Sequence, residues 1–191
     1  MSSGDTQRIL GNLACPGTPP APLPSGRRRL CPEERRHAAT NEAAEAVAAA
    51  GNATSVDRAA KSDAFEIAAA KLAQTNAASD DFKAFAKDMA KAHMDSTAKI
   101  KAAAKEAMPA ITPQAALTGD QSDTLADLGK LKGADFDRKY MSGQVEAHED
   151  ALALMEDYSK NGGVASLKAA AADIAPVVKR HLDMATALNS L

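Results

Sequence analysis

Apolar side chains recur at intervals of three and four residues from about Val56 to the end of the chain, which is the period of an amphipathic helix. The pattern predicts four long helices, at about 57–77, 80–107, 134–160 and 164–189. Ser79 supplies an N-cap for the second helix. Pro176 lies inside the fourth helix and predicts a kink, because proline removes an amide donor. The sequence therefore predicts an all-α fold.

The connection between the second and third predicted helices is much longer than the other two connections. It spans about 108–133 and contains a short helical pattern near 121–131. Short connections favour antiparallel neighbours, and one long crossover is typical of ferritin-like bundles. We therefore expect a ferritin-like four-helix bundle over residues 56–191. An up-down-up-down bundle with a decorated middle loop is the alternative.

Residues 1–55 lack this periodicity. Residues 1–36 hold most of the prolines and several arginines, which predicts a disordered leader, and residues 37–55 form an Ala/Glu-rich spacer. The leader contains no apolar run of the length that a signal peptide needs. Cys15 and Cys31 both lie in it, so the predicted bundle has no thiol.

Composition and net charge indicate which fold classes and which kinds of binding partner to expect. Hydrophobic residues make up 45% of the chain, but aromatic residues make up only 3% and tryptophan is absent, which favours close-packed helices over a β-sandwich. The formal net charge is −2, so no strong field attracts nucleic acid. No apolar run reaches the ~18 residues that span a bilayer. We expect neither a nucleic-acid partner nor a transmembrane segment, while a protein partner and the oligomeric state stay open.

Three of the four histidines occupy apolar-stripe positions of the predicted helices. His93, His148 and His181 lie on the stripes of the second, third and fourth helices, whereas His37 lies before the predicted bundle. With a rise of about 1.5 Å per residue, Glu66 of the first helix lies within about 5 Å of the height of His93. The same estimate offsets His181 from His148 by roughly 7–8 Å. The sequence thus places three histidines and one carboxylate near the middle of the bundle.

Imidazole and carboxylate groups together suit a transition metal. The candidate metal ligands are Glu66, His93, His148 and His181, and the candidate ions are iron, copper, zinc and manganese. Asp63 shares a face of the first helix with Glu66. The alternative is a polar core in which each histidine bonds a carboxylate or carbonyl group of a neighbouring helix.

The sequence lacks the common signatures of a catalytic site. Di-metal ferritin-like proteins carry Glu-x-x-His on two helices, but the residues three positions before the histidines are Ala90, Val145 and Val178. Gly162-Gly163 is a helix stop rather than a phosphate loop. No serine has the context of a nucleophile elbow. We therefore predict no catalytic residue.

Several segments of the predicted bundle resemble a known family. The segments are "FAKDMAKAH", "FDRKYM" followed by a histidine, and a proline followed by "HL" in the last helix. Over about residues 57–190 they resemble the domain-of-unknown-function 4142 family, ferritin-like bundles of bacteria often labelled predicted outer-membrane or exported proteins. The family usually has Asp before the second-helix histidine, where this chain has Ala92. The resemblance implies a location in the periplasm or cell envelope.

Three functional hypotheses follow. The leading one is a non-catalytic, exported ferritin-like bundle that binds a transition metal through its His/Glu cluster and acts in the cell envelope or the stress response. The second is a metal-dependent enzyme that uses the same cluster. The third is a protein-interaction module that contacts its partner through the 108–133 crossover.

Overall fold

The computed structural model describes residues 32–190, and the side chains of residues 44–190. Within this range the chain forms helices and no strand, which confirms the predicted all-α class. The helices are α1 (Pro32–Asn76), α2 (Asp80–Lys105), α3 (Gly119–Lys130), α4 (Gly133–Asn161) and α5 (Ala165–Asn189). The chain divides into units of residues 1–45 and 46–191, and the helical bundle described below belongs to the second. Cys15 and Cys31 lie outside the described residues.

Helix α1 begins well before the predicted start near residue 57. Gly51 and Asn52, which belong to the segment predicted as an Ala/Glu-rich spacer, lie inside α1. The Oδ1 atom of Asn52 accepts a hydrogen bond of 2.7 Å from the hydroxyl of Tyr158 in α4. This tertiary contact offsets the low helix propensity of glycine and asparagine.

The helix ends have identifiable local causes. The Ser79 hydroxyl accepts a hydrogen bond from the backbone amide of Phe82, which confirms the predicted N-cap of α2. Gly133, the first residue of α4, has a φ of 62°, a conformation that favours glycine. Gly162 ends α4 as predicted, but its φ of −59° is not left-handed. Glycine fits there because a Cβ would overlap the side chain of Tyr158.

Helices α1 and α2 pack antiparallel. Near their connecting turn, Gln74 donates a hydrogen bond to the backbone carbonyl of Lys83. Farther from the turn, Thr97 donates a hydrogen bond to Asp63. The two contacts pair an increasing residue number on one helix with a decreasing number on the other, so the helices run in opposite directions.

Helix α4 is also antiparallel to α1. Tyr158 near the end of α4 contacts Asn52 early in the bundle part of α1. Gln144, near the middle of α4, bonds Glu66 farther along α1. Since α2 and α4 both oppose α1, the connection that contains α3 has to cross the length of the bundle.

Two apolar clusters fill the bundle, one towards each end. The first cluster is rich in small and aromatic side chains and includes Ala69, Ala73, Phe85, Ala86, Met89, Leu128, Phe136, Tyr140, Met141 and Ala185. The second cluster includes Val56, Ala59, Ile100, Ala104, Met155, Leu167, Ile174 and Val178. Six buried polar residues lie between these two sets, namely Asp63, Glu66, His93, Gln144, His148 and His181, whereas Asn76 and Asp137 lie beside the first cluster. None of the described helices is both long and apolar enough to cross a membrane.

Candidate metal centre

Three histidines from three different helices meet inside the bundle. His93 of α2, His148 of α4 and His181 of α5 are buried, and one ring nitrogen of each lies within 4.8 Å of the corresponding nitrogens of the other two. The ring centroids are 5.6 to 6.4 Å apart. The predicted inward positions of these histidines therefore converge on one point.

The predicted offset of roughly 7–8 Å between His148 and His181 is too large. The centre of the α4–α5 turn is Gly163, which lies 15 residues after His148 and 18 before His181. The difference corresponds to about 4.5 Å of helix. Side chains also lean towards the N-terminus of their own helix. In an antiparallel pair this moves His148 away from the turn and His181 towards it, so the two rings approach each other.

His93 is held by a carboxylate of α1. Its Nδ1–H donates to Oδ1 of Asp63 at 2.9 Å, and the hydroxyl of Thr97 donates to Oδ2 of the same carboxylate at 3.0 Å. Asp63 and His93 each lie 15 residues from Ala78 in the α1–α2 turn, so they lie at equal height. Burial lowers the pKa of His93, but the hydrogen bond to Asp63 and the charges of Glu66 and Asp63 outweigh burial and raise that pKa above its ordinary value.

His148 and His181 are neutral imidazoles near pH 7. The Nδ1–H of His148 donates to the backbone carbonyl of Gln144 at 2.8 Å. Burial, aided by the positive charge of His93, lowers the pKa of His148 to about 4. Burial lowers the pKa of His181 to about 4 as well, aided by the repulsion that His148, His93 and Arg180 exert in their protonated forms. Both rings therefore offer nitrogen lone pairs without having to lose a proton first.

Two ring nitrogens at the centre have no hydrogen-bond partner within the described part of the chain. They are Nε2 of His93 and Nε2 of His148, and both are buried. In neutral His148, whose Nδ1 carries the proton, Nε2 is an acceptor, whereas the raised pKa of His93 favours a proton on its Nε2, which a metal ion would displace. Leaving such an atom buried and unpaired costs about 1–3 kcal/mol. The polar-core interpretation explains the Nδ1 bonds and leaves both Nε2 atoms unexplained.

Glu66 lies beside this histidine group. It is 1% exposed, and its Oε2 accepts a hydrogen bond from the side-chain amide of Gln144. Its Oε1 has no partner among the described residues. Burial raises the pKa of Glu66, although His93 and the Gln144 hydrogen bond act against this. Among the described residues, the group of mutually close ligand atoms consists of the three histidines, without Glu66.

A cavity of about 590 Å³ leads to the histidine centre. His93 and His181 line it, together with Glu66, Tyr140 and Gln144. Tyr140 and Gln144 are additional site residues that were not among the candidates predicted from the sequence. Their spacing was an available signal, because they lie eight and four residues before His148 on the same helix face.

Comparison with known proteins identifies a family for the chain. No curated protein and no solved structure matches it. A family described as a domain of unknown function (DUF4142) matches residues 37–188, a span that includes most of α1 and the whole of α2, α3 and α4. The chain therefore belongs to the DUF4142 family.

Proposed function

We propose that this protein binds one transition-metal ion through ring nitrogens of His93, His148 and His181. The observation that carries the proposal is the pair of buried, unpartnered Nε2 atoms of His93 and His148. A metal ion between the rings satisfies both atoms at once, whereas no protein donor among the described residues does so. The 4.8 Å limit on the nitrogen separations supports binding to one ion with little side-chain movement.

The ligand chemistry favours zinc, copper or iron over manganese. Imidazole nitrogen is a borderline ligand that suits the first three ions, while manganese prefers carboxylates and water. Three protein ligands leave one coordination position open. The ion therefore keeps a position for water or for a further ligand.

Two hydrogen bonds hold His93 and His148 in the orientation that metal binding needs. Asp63 fixes the tautomer of His93 so that Nε2 is the free nitrogen, and the backbone carbonyl of Gln144 does the same for His148. A carboxylate behind a ligating histidine also raises the basicity of the ring. Glu66 contributes through Gln144, whose side-chain amide it holds beside the centre.

The same proposal includes a ferritin-like bundle as the scaffold. The antiparallel contacts of α2 and α4 with α1, together with the long connection between α2 and α4, support that arrangement. The absence of Glu-x-x-His at His93, His148 and His181 favours binding or storage over catalysis, and a metal-dependent enzyme is the competing hypothesis. The location in the periplasm or cell envelope rests on the family resemblance.

The test is metal analysis of full-length protein purified without a polyhistidine tag, followed by thermal unfolding with added zinc, copper or iron. We expect about one ion per chain and a higher melting temperature, because an ion that binds only the folded state stabilises it. His93→Ala and His148→Ala should remove both effects. Asp183→Asn is the matched control, since Asp183 is an exposed residue of α5 that pairs with Lys179.

A melting temperature that no metal changes would overturn the proposal. The proposal would also fail if the two histidine variants took up as much metal as the control variant. Turnover of a redox or hydrolytic substrate by the metal-loaded protein would favour the enzyme hypothesis instead.

A further inference from the structure

Beside the histidine centre lies a wall of buried polar atoms without partners. Among the described residues, Oε1 of Glu66, the hydroxyl of Tyr140 and Oε1 of Gln144 have none. These residues are only 1–2% exposed. All three line the 590 Å³ cavity that also borders His93 and His181. Three unmet hydrogen bonds around one cavity point to a ligand that enters it.

The chemistry of two of these atoms specifies a complementary group. Tyr140 keeps its proton, because burial raises its pKa, so its hydroxyl is a donor. Gln144 already uses its amide nitrogen for Glu66, so its Oε1 is an acceptor. An aliphatic hydroxyl is the simplest group that accepts from Tyr140 and donates to Gln144 at the same time.

The metal side of the cavity specifies the other end of the ligand. A divalent ion bound by three neutral imidazoles has an open position and a positive charge, and an anionic oxygen donor suits both. Gln144 and Tyr140 precede His148 by four and eight residues, so each step along α4 is a rise of about 6 Å. A ligand that reaches from the ion to this wall therefore needs a short carbon chain between its carboxylate and its second polar group. The cavity volume lies within the range of small-molecule sites.

We propose that the cavity binds a small aliphatic hydroxy acid, with its carboxylate on the metal ion and its hydroxyl between Tyr140 and Gln144. This inference rests on the proposed metal site and adds the class of ligand. The carboxylate fills the open coordination position, and the hydroxyl satisfies two of the three unpaired polar atoms of the wall, the hydroxyl of Tyr140 and Oε1 of Gln144. Glu66 keeps Gln144 in place through the hydrogen bond to its amide.

The test compares 3-hydroxybutyrate with butyrate, which has the same carbon chain without the hydroxyl. Each acid is titrated into the cobalt(II)-loaded full chain, and binding is followed by calorimetry and by the visible spectrum of cobalt. We expect 3-hydroxybutyrate to bind at least about tenfold more tightly, because butyrate leaves the buried polar atoms unpaired. Both acids should change the cobalt spectrum.

Tyr140→Phe removes a single hydroxyl and should abolish the tenfold preference. Tyr158→Phe is the matched control, because the other tyrosine of the chain bonds Asn52 and does not line this cavity. Its preference should equal that of the wild type. If cobalt binds but the two acids bind equally, or if Tyr140→Phe keeps the preference, the hydroxy-acid inference fails and the metal site stands. If cobalt does not bind, both fail.

Discussion

The two apolar clusters and the histidine layer between them, formed by Asp63, Glu66, His93, Gln144, His148 and His181, are equally buried. They differ in how many of their buried polar atoms have a hydrogen-bond partner. In the clusters, Ala73, Ala86 and Ala185 have no exposed surface, so the helices approach closely, and the buried atom without a hydrogen-bond partner among the described residues there is the hydroxyl of Tyr140, which lines the cavity. In the layer, the same helices bury His93 and His148 with ring nitrogens that have no hydrogen-bond partner among the described residues. The clusters account for folding, whereas the unpaired atoms of the layer lower stability. That difference is the basis of our proposal that the layer binds a metal ion.

The largest expected effect comes from a cavity in the first cluster. Phe136 has no exposed surface and stacks on Tyr140 with ring centroids 5.5 Å apart. Phe136→Ala should lower the free energy of unfolding by about 3–5 kcal/mol, measured by urea denaturation. Val47→Ala, at a position that is 73% exposed, should change it by less than about 0.5 kcal/mol. Similar losses in both variants would mean that the cluster does not stabilise the bundle.

The second effect concerns metal binding in the layer. Asp63→Ala removes the carboxylate that orients His93, and zinc affinity should fall by about 10- to 100-fold, measured by calorimetry. Asp57→Ala is the control, because Asp57 is another acid of α1 whose carboxylate instead accepts a hydrogen bond from the backbone of Gln114. Equal zinc affinity in both variants would contradict a positioning role for Asp63.

The third effect is a loss of stability of the metal-free protein in acid. Burial lowers the folded-state pKa of His148 to about 4, from an ordinary value of 6.5. Between these values the unfolded chain binds more protons, so stability that is present above pH 6.5 is lost as the pH falls. For His148 the loss between pH 7 and pH 4.5 is about 2 kcal/mol. His181 acts in the same direction, whereas the raised pKa of His93 makes its contribution disappear as the pH rises.

Urea denaturation of wild type and His148→Gln over this pH range isolates the contribution of His148. The variant should lose less stability in acid than the wild type, because glutamine does not titrate. Parallel curves for the two proteins would show that His148 is not held neutral by the fold.

The smallest effect is a gain in stability. Tyr140 buries a hydroxyl that has no partner among the described residues, so Tyr140→Phe should raise the free energy of unfolding by up to about 1 kcal/mol. Tyr158→Phe loses the hydrogen bond to Asn52 and should lower it by about 1 kcal/mol. If both variants changed the free energy of unfolding in the same direction, the distinction between a tyrosine hydroxyl with a hydrogen-bond partner and one without would be contradicted.

The sequence predicted most of the helix positions and the inward direction of the three histidines, because both follow from helical periodicity alone. It placed the Ser79 cap and the end of α4 correctly. It did not predict that α1 continues through Gly51 and Asn52, since the contact that compensates for them comes from Tyr158, far along the chain.

The geometry of the site depended on details that periodicity does not contain. His93 bonds Asp63 because the two residues lie at equal height in the bundle. Glu66 was the carboxylate of α1 that we chose from the sequence. The rings of His181 and His148 approach each other because side chains lean towards the N-terminus of their own helix, and α4 and α5 are antiparallel. The cavity depends on how α3 and the crossover lie against α1 and α4, and no local pattern fixes that placement.

The most direct test of the central claim is an imidazole ¹⁵N NMR spectrum of the full chain before and after one equivalent of zinc. Nδ1 of His93 and His148 should stay protonated, because each donates a hydrogen bond. We predict that Nε2 of both rings and one nitrogen of His181 shift together on addition of zinc, as expected for ligands of a single ion. Unchanged Nε2 resonances of His93 and His148 in the presence of saturating zinc would contradict the account.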